Sequence, residues 1–136
     1  MIALTDNHVG RLLKMHPIRV EALIRDEVEA GVELVAEEAR FSIIDGAVSG
    51  SAHVASLPGE APNADTHDLD QSIHTGDVIE TPGSIRSSAI ADSDHAAPLE
   101  KGTSRMAERP FMGPASRRSR GKFIRSLVDR LRKGRA

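Results

Sequence analysis

Several residue types are missing or scarce in this chain of 136 residues, which contains no cysteine, tryptophan or tyrosine and only three phenylalanines. Without cysteine, the chain has no disulfide framework, no thiolate-ligated metal and no thiol chemistry. Large aromatic side chains supply much of the buried area of a small domain, so the predicted core is aliphatic and modest. Such a chain gains stability by packing on neighbouring subunits, and the composition therefore favours an oligomer.

Long apolar runs are also missing. Nowhere do about 18 apolar residues occur together, as a membrane-spanning helix would require. The first nine residues contain Asp6, Asn7 and His8 in place of the apolar run of a signal peptide. We therefore expect no membrane segment, no export signal and synthesis in a reducing cytoplasm. The length predicts a single domain spanning residues 1–136.

The net charge is only −2, but the charges are unevenly distributed. The segment from Glu21 to Glu38 is acidic, whereas the segment from Arg105 to Arg135 is strongly basic. In a ring of identical subunits, such polarity would favour contacts between two different faces of neighbouring copies. Two solvated helix faces would produce the same pattern, so both interpretations stay open.

The strongest periodic pattern lies between Pro17 and about Phe41. Apolar residues recur there with helical spacing, and acidic residues fall on the opposite face. Pro17 suits the first turn, where a missing N–H costs nothing. We expect a long helix lying across a sheet, with an apolar stripe made of Val20, Ile24, Val28, Val32, Val35, Ala36 and Ala39.

The composition changes in the segment 45–68, where glycine and proline interrupt small and weakly hydrophobic residues. This segment is predicted to be a loop. Structureless loops above about 15 residues are uncommon in compact domains unless they are functional. We interpret the segment as an arm that contacts a partner, with a merely flexible insertion as the alternative.

A β-hairpin is predicted next, with strands in 69–80 and 84–91. The turn between them is Thr81-Pro82-Gly83, in which proline presets one dihedral angle and glycine accepts a positive φ. A short helix should follow, capped by Asp94 and closed by Gly102 in the left-handed conformation.

The last element is an amphipathic, cationic helix from about Pro114 to Lys133. Gly121 is unfavourable in a helix interior, so the helix is expected to begin after it or to bend there. The predicted fold class is α+β, with two long helices packed on a small, mostly antiparallel sheet and a long extended loop.

No residue pattern predicts catalysis. Histidines and aspartates are mixed between His53 and His95, but none has the spacing of ligands on one helix face. The many serines lack the strained turn of a nucleophile. We therefore expect no catalytic residue, no cofactor and no metal site, and no enzymatic activity.

Two segments resemble a known family. Residues 100–115 read EKGTSRMAERPFMGPA, which is similar to the Glu-Phe-Gly-Thr, basic linker, Ala-Arg-Pro-Phe, two residues and Pro-Ala pattern of the neck and tail-completion proteins of tailed bacteriophages. Residues 56–73 read SLPGEAPNADTHDLDQSI and resemble the family's Pro-Gly-Glu-x-Pro stretch leading to Thr-Gly-x-Leu and Ser-Ile. With the flanking helices, the resemblance covers nearly the whole chain.

The resemblance implies a structural subunit of the virion head–tail connector, in a phage, a prophage or a gene transfer agent. It implies an α+β fold and an oligomeric ring of six or twelve copies between head-closure proteins and the tail tube, with DNA only as passing cargo. Whether the ring is a neck or a tail-terminator ring stays open. The residues expected to contact neighbouring subunits or rings are Pro58, Gly59, Glu60, Pro62, Glu100, Gly102, Thr103, Arg105, Arg109, Pro110, Phe111 and Pro114.

The segment 100–115 is predicted to form a rigid corner. Gly102 and the two prolines restrict its backbone, and Phe111 is its one large apolar anchor. Arg105 and Arg109 are close enough in sequence to pair with Glu100. The corner either packs the last helix within one subunit or joins two subunits. In the second case, Phe111→Ala should lower particle yield more than monomer solubility.

Three positions depart from the family pattern, because Lys101 stands in place of Phe, His95 in place of Tyr and His67 in place of Gly. The first two remove aromatic anchors, and the third concerns the geometry of a turn. The main alternative function is DNA binding by the basic C-terminal helix, whose arginines would contact phosphates. No series of aromatic stacking residues interleaves those arginines, however.

Overall fold

The computed structural model describes residues 17–45 and 50–133. Two long α-helices, two short α-helices, one 3-10 turn at Gly50–Ala52 and four short strands make up the regular structure of the described part. In chain order they are α1 (Pro17–Ile44), α2 (Asp68–Gln71), β1 (Ile73–Thr75), β2 (Ile79–Thr81), β3 (Ser84–Arg86), β4 (Ala89–Ala91), α3 (Ala96–Lys101) and α4 (Met112–Lys133). The predicted α+β class, with two long helices and a small antiparallel region, is confirmed.

Helix α1 has 28 residues and is about 42 Å long. It begins at Pro17, as predicted, and ends three residues beyond the predicted Phe41. Its apolar stripe divides into two parts. Near the C-terminal end, Ala36, Ala39 and Ile43 are fully buried, whereas Val28, Val32 and Val35 in the middle of the helix are only half-buried. The sheet region is too small to cover the whole stripe.

The strands form the predicted antiparallel hairpin, but as two separate pairs. Strand β2 pairs with β3 around the Thr81–Ser84 turn, and β1 pairs with β4. Between the pairs, the amide of Gly76 donates to the carbonyl of Ser88 at 2.7 Å. The prediction of a strand from Leu69 is wrong, because that residue lies in α2. The hydroxyl of Thr66 bonds Asp68 at 2.6 Å, and such local side-chain bonds favour a turn over a strand.

The short helix α3 begins one residue after its predicted position. Its N-cap is His95, not Asp94, and no side chain caps it. The carbonyl of Ser93 accepts the amide of Ala96 at 2.9 Å instead. Gly102 has the predicted positive φ of 72°, but its ψ of 176° is extended and not helical. A Cβ there would lie 3.0 Å from the Met106 carbonyl oxygen, so glycine is required.

Helix α4 begins at Met112, two residues before the predicted start, and continues through Gly121 without interruption. The prediction that Gly121 delays the helix is therefore wrong. Packing on α1 outweighs the propensity of one glycine, about 1 kcal/mol. The two long helices run antiparallel, since Glu27 bonds Arg130 while Glu38 bonds Arg118.

The core lies where the C-terminal half of α1 meets the start of α4 and the hairpin. Its largest fully buried side chains are Phe111 and Ile43. Smaller residues complete the same cluster: Ala36, Ala39, Ala64, Ile73, Ala96 and Ala115. The core is aliphatic with one aromatic anchor, as the composition predicted.

Candidate interaction site

The corner is organised by the carboxylate of Glu100, which lies near the end of α3. Its two oxygens accept the backbone N–H groups of Phe111, Met112 and Gly113 at 2.8, 3.0 and 2.8 Å. These amides open α4 and have no partner within the helix. A carboxylate there also interacts favourably with the positive end of the helix dipole. Glu100 therefore fixes the angle between α3 and α4.

This geometry overturns the predicted ion pairs of the corner. Glu100 caps α4, and neither Arg105 nor Arg109 forms an ion pair with it in the described part of the chain. The Arg109 side chain reaches instead to the carbonyl of Ser56, at 3.1 Å. The backbone of Arg109 is fixed as well, because its amide donates to the Leu99 carbonyl at 2.6 Å.

The loop contains a tight turn at Leu57–Glu60. The amide of Glu60 donates to the Leu57 carbonyl at 3.1 Å, and Gly59 has a φ of 85°. Proline at the second position and glycine at the third suit a type II turn, which needs a positive φ at its third residue. The Glu60 carboxylate also accepts the Leu57 amide at 3.3 Å. This part of the predicted arm is a rigid turn.

The two segments that carry the family resemblance meet in space. The Gly59 amide donates to the Glu108 carbonyl at 2.9 Å, beside the bond from Arg109 to Ser56. A third bond, from the Ala64 amide to the Ile43 carbonyl at 3.0 Å, ties the loop to the end of α1. We call residues 50–68 and 100–115 together the arm–corner unit.

The predicted contact residues differ widely in exposure. Phe111 is only 1% exposed, and Pro62 is also buried, so neither side chain is available to a partner in this conformation. Phe111 anchors the core of its own subunit. The half-buried members are Glu100, Gly102, Arg109, Pro110 and Pro114, and the exposed members are Pro58, Gly59, Glu60, Thr103 and Arg105.

Sequence reasoning missed the two most exposed apolar side chains of the arm. Val54 is 70% exposed and Leu57 is 66% exposed. Their backbone is nevertheless held, because the Asn63 side chain donates to the Val54 carbonyl at 2.8 Å. Large apolar residues in an otherwise small-residue, turn-rich segment were the available signal. Apolar residues that form a contiguous patch on the surface are typical of interaction sites.

The positions that depart from the family pattern tolerate their replacements. His67 is the one non-glycine residue with positive φ in the described part, at 64°, which is a conformation that glycine adopts most readily. The turn therefore keeps a glycine-like geometry. Lys101 and His95 are exposed, so the absent aromatic side chains leave no hole in the core.

An open cavity of about 320 Å³ lies beneath the arm and is lined by His53, His67, His95, Asp70 and Arg109, among others. His67 Nδ1 lies 3.2 Å from the buried Asp70 carboxylate. Within 17–45 and 50–133, no group of three or more potential ligands is placed to hold a metal ion. Among the described helices, none is long and apolar enough to cross a membrane.

The acidic and basic ends of the sequence meet within one subunit. Glu38 bonds Arg118 at 3.2 Å and Lys122 at 3.4 Å, and the buried Glu27 bonds Arg130 at 2.7 Å. Part of the charge polarity thus stabilises the α1–α4 pair within one chain.

These contacts lower the pKa of both carboxyls. Burial raises the pKa of Glu27, but hydrogen bonds from Arg130 and Ser126 and the charge of Arg130 outweigh burial and lower that pKa below its ordinary value. The pKa of Glu38 also lies below its ordinary value, chiefly because Arg118 donates a hydrogen bond to it.

Comparison with known proteins adds no relative: no protein-family model, no curated protein and no solved structure matches the chain.

Proposed function

We propose that this chain is a structural subunit of the head–tail connector of a long-tailed bacteriophage or a phage-derived gene transfer particle. It would form an oligomeric ring between the head-closure proteins and the tail tube, as a neck or tail-terminator protein. Its work would be to hold protein surfaces together, without bond-making chemistry.

The observation that carries this proposal is the arm–corner unit. The two segments that resemble the family lie 53 residues apart at Ser56 and Arg109, yet their backbones and side chains join directly. Three residues of the family-like segment 100–115 each have a separate structural role. Glu100 caps α4, Gly102 has a conformation that other residues adopt poorly, and Phe111 anchors the core.

Hydrogen bonds join the two segments of the arm–corner unit, and part of its surface is exposed, which suits docking on another protein. Pro58, Glu60, Thr103 and Arg105 are exposed on it, beside the apolar side chains of the arm. Preorganised surfaces lose less conformational entropy on binding than flexible ones. These features support a role in assembly.

The test is deletion of the gene in the strain that produces the particles, followed by electron microscopy. We expect separate heads and tails, or tails of abnormal length, and recovery of complete particles when the wild-type gene is supplied. The wild-type protein should also copurify with particles and be indifferent to EDTA. Normal particles formed without this chain, and purified particles that lack it, would exclude the proposal.

A DNA-binding role is the second candidate, because five basic side chains of α4 are exposed and form no ion pair within 17–45 and 50–133. They are Arg117, Arg120, Arg125, Arg132 and Lys133. Against it, three other basic residues of α4 already bond carboxylates of α1, and the one aromatic residue of α4, Phe123, packs on Gly31.

Two measurements on an Arg125→Glu/Arg132→Glu double variant distinguish the two functions. A connector subunit with these changes should still restore complete particles in the deletion strain. A DNA-binding protein should instead shift duplex DNA in a strongly salt-dependent way, and the double variant should lose that shift.

A further inference from the structure

A groove between the two long helices leaves part of the α1 stripe uncovered. It is open, has a volume of about 350 Å³, and is lined by Val28, Val32, Val35, Ser116, Arg120 and Phe123, among others. We call it the α1–α4 groove. The three valines are half-buried, because the sheet covers only the C-terminal part of the stripe. The groove is therefore apolar along α1 and basic at Arg120.

The arm carries a surface of complementary chemistry, made of Val54, Leu57 and Glu60, which we call the arm knob. Val54 is 70% exposed and Leu57 is 66% exposed. The turn at Leu57–Glu60 fixes the backbone of Leu57, and the Asn63 side chain bonds the Val54 carbonyl. The knob therefore combines two exposed apolar side chains with one exposed carboxylate.

The two surfaces carry opposite charges, and neither charge forms an ion pair within the described residues. Arg120 is exposed and forms no ion pair in the described ranges. The carboxylate of Glu60 is exposed and, among residues 17–45 and 50–133, accepts a hydrogen bond only from the backbone amide of Leu57, at 3.3 Å. A basic residue beside an apolar groove and an acidic residue beside an apolar knob make the surfaces complementary in both respects.

The knob does not fill the groove of its own chain, since its apolar side chains are exposed. The arm is bonded to α1 at Ile43, whereas the middle of the groove is at Val32, about 16 Å away along the helix axis. A contact between a knob and the groove of another copy joins two different surfaces. Such a heterologous contact closes into a ring when the rotation between copies permits.

We propose that the arm knob of one copy inserts into the α1–α4 groove of the next copy, and that repetition of this contact forms the ring. The inference rests on the proposed function for the place of the ring in a particle. Beyond the proposed function, the inference identifies the two surfaces that meet. It also identifies the ion pair that orients them, Glu60 with Arg120.

The test uses two full-length variants, each of which disables one surface. Leu57→Asp places a charge on the knob, and Ser116→Trp fills the groove from an exposed helix position. Each variant alone should be monomeric by analytical ultracentrifugation, whereas the wild-type chain forms rings. An equimolar mixture should form dimers and nothing larger, because only one intact knob and one intact groove can pair.

Charge reversal provides an independent readout. Glu60→Arg and Arg120→Glu should each raise the dissociation constant between copies at least tenfold. Both changes in one chain should restore the wild-type value. Ile79→Asp is the matched control, since Ile79 is also an exposed apolar residue, at 54%, but lies in β2. It should assemble like the wild-type chain.

Three results would overturn the inference: a monomeric wild-type chain, a mixture that stays monomeric, or wild-type assembly by Leu57→Asp. Assembly by Ser116→Trp with a loss of single-chain stability would assign the groove to residues 1–16 of the same chain. Normal particles containing Leu57→Asp subunits would reject the inference but retain the connector function. Dimers in the mixture, together with particles that lack this protein, would support the knob–groove contact but reject the connector function.

Discussion

Arg109 donates its Nε hydrogen to the carbonyl oxygen of Ser56 at 3.1 Å, across 53 residues of sequence. The bond joins the arm to the corner, and the Gly59 amide bonds the neighbouring Glu108 carbonyl at 2.9 Å. Residues 56–59 of the arm are therefore held to the corner by polar contacts, whereas Ala64 at the end of the arm is packed in the core.

Arg109→Ala should loosen the arm without unfolding the domain. A hydrogen bond from a charged donor contributes about 1.5 kcal/mol or more, and its loss here is confined to the loop. Amide hydrogen exchange should increase in residues 50–64, while exchange in the middle of α1 is unchanged. Uniformly faster exchange throughout the chain would show that the bond supports the whole fold. Exposed Arg105→Ala is the matched control.

Phe111→Ala should destabilise the isolated subunit by about 3–5 kcal/mol, because it leaves a cavity in the core. Urea unfolding measures the loss directly. Soluble yield and particle yield should therefore fall together, as expected for the alternative in which the corner packs the last helix within one subunit. Leu57→Ala is the control, since that side chain is 66% exposed: assembly should fall while the free energy of unfolding is unchanged. A stable Phe111→Ala subunit that fails to assemble would restore the interface role.

Glu100→Ala should cost about 1–2 kcal/mol of unfolding free energy, because three amides at the start of α4 lose their acceptor. Glu100→Gln should cost less, since one amide oxygen can still accept. Hydrogen exchange at the amides of Phe111, Met112 and Gly113 should increase in the same order. Equal stability of all three proteins would show that water caps the helix adequately.

Two helical glycines should respond in opposite ways to alanine. A Cβ at Gly31 would lie 2.5 Å from the ring of Phe123, so Gly31→Ala should destabilise by about 1–3 kcal/mol through overpacking. Gly121 faces open space except for Arg125 at 3.8 Å, so Gly121→Ala should stabilise by up to about 1 kcal/mol. Thermal unfolding distinguishes them. Stabilisation by both changes would mean that Phe123 moves aside readily.

The Glu27 contact should make stability depend on pH. Its pKa is lowered in the folded state, so the stabilisation is present above the unfolded-state value of about 4.5 and is lost as the pH falls through the folded-state pKa. Glu27→Gln should lower the unfolding free energy by about 1.5 kcal/mol at pH 7, and the difference should shrink toward pH 3. Glu29→Gln, an exposed control, should show no such trend. A pH-independent difference would assign the effect to packing.

Much of the local structure was predictable because its causes are local. The spacing of Val20, Ile24 and Val28 is enough to predict α1, and Pro82-Gly83 is enough to place the hairpin turn. Errors arose where two local preferences competed. Asp68 and Thr66 favoured a turn where apolar residues suggested a strand, and Gly121 was outweighed by helix packing.

The candidate site was less predictable, because its properties depend on distant residues. The sequence indicated that Glu100, Arg109 and Phe111 matter to the corner, but not what each contacts. Arg105 and Arg109 seemed suitable partners for Glu100 by proximity alone. The free α4 amides are closer to that carboxylate in space, and Arg109 meets Ser56 only after the loop has folded back.

By itself, the sequence determined the two long helices, the turns that proline and glycine enforce, the absence of thiol chemistry and the aliphatic nature of the core, since each follows from neighbouring residues or from composition. Only the tertiary structure decided that Phe111 is inside, that Val54 and Leu57 are outside, and that the acidic and basic segments meet within one chain. Burial and ion pairing depend on which surfaces approach one another, and residues far apart in sequence set that approach jointly.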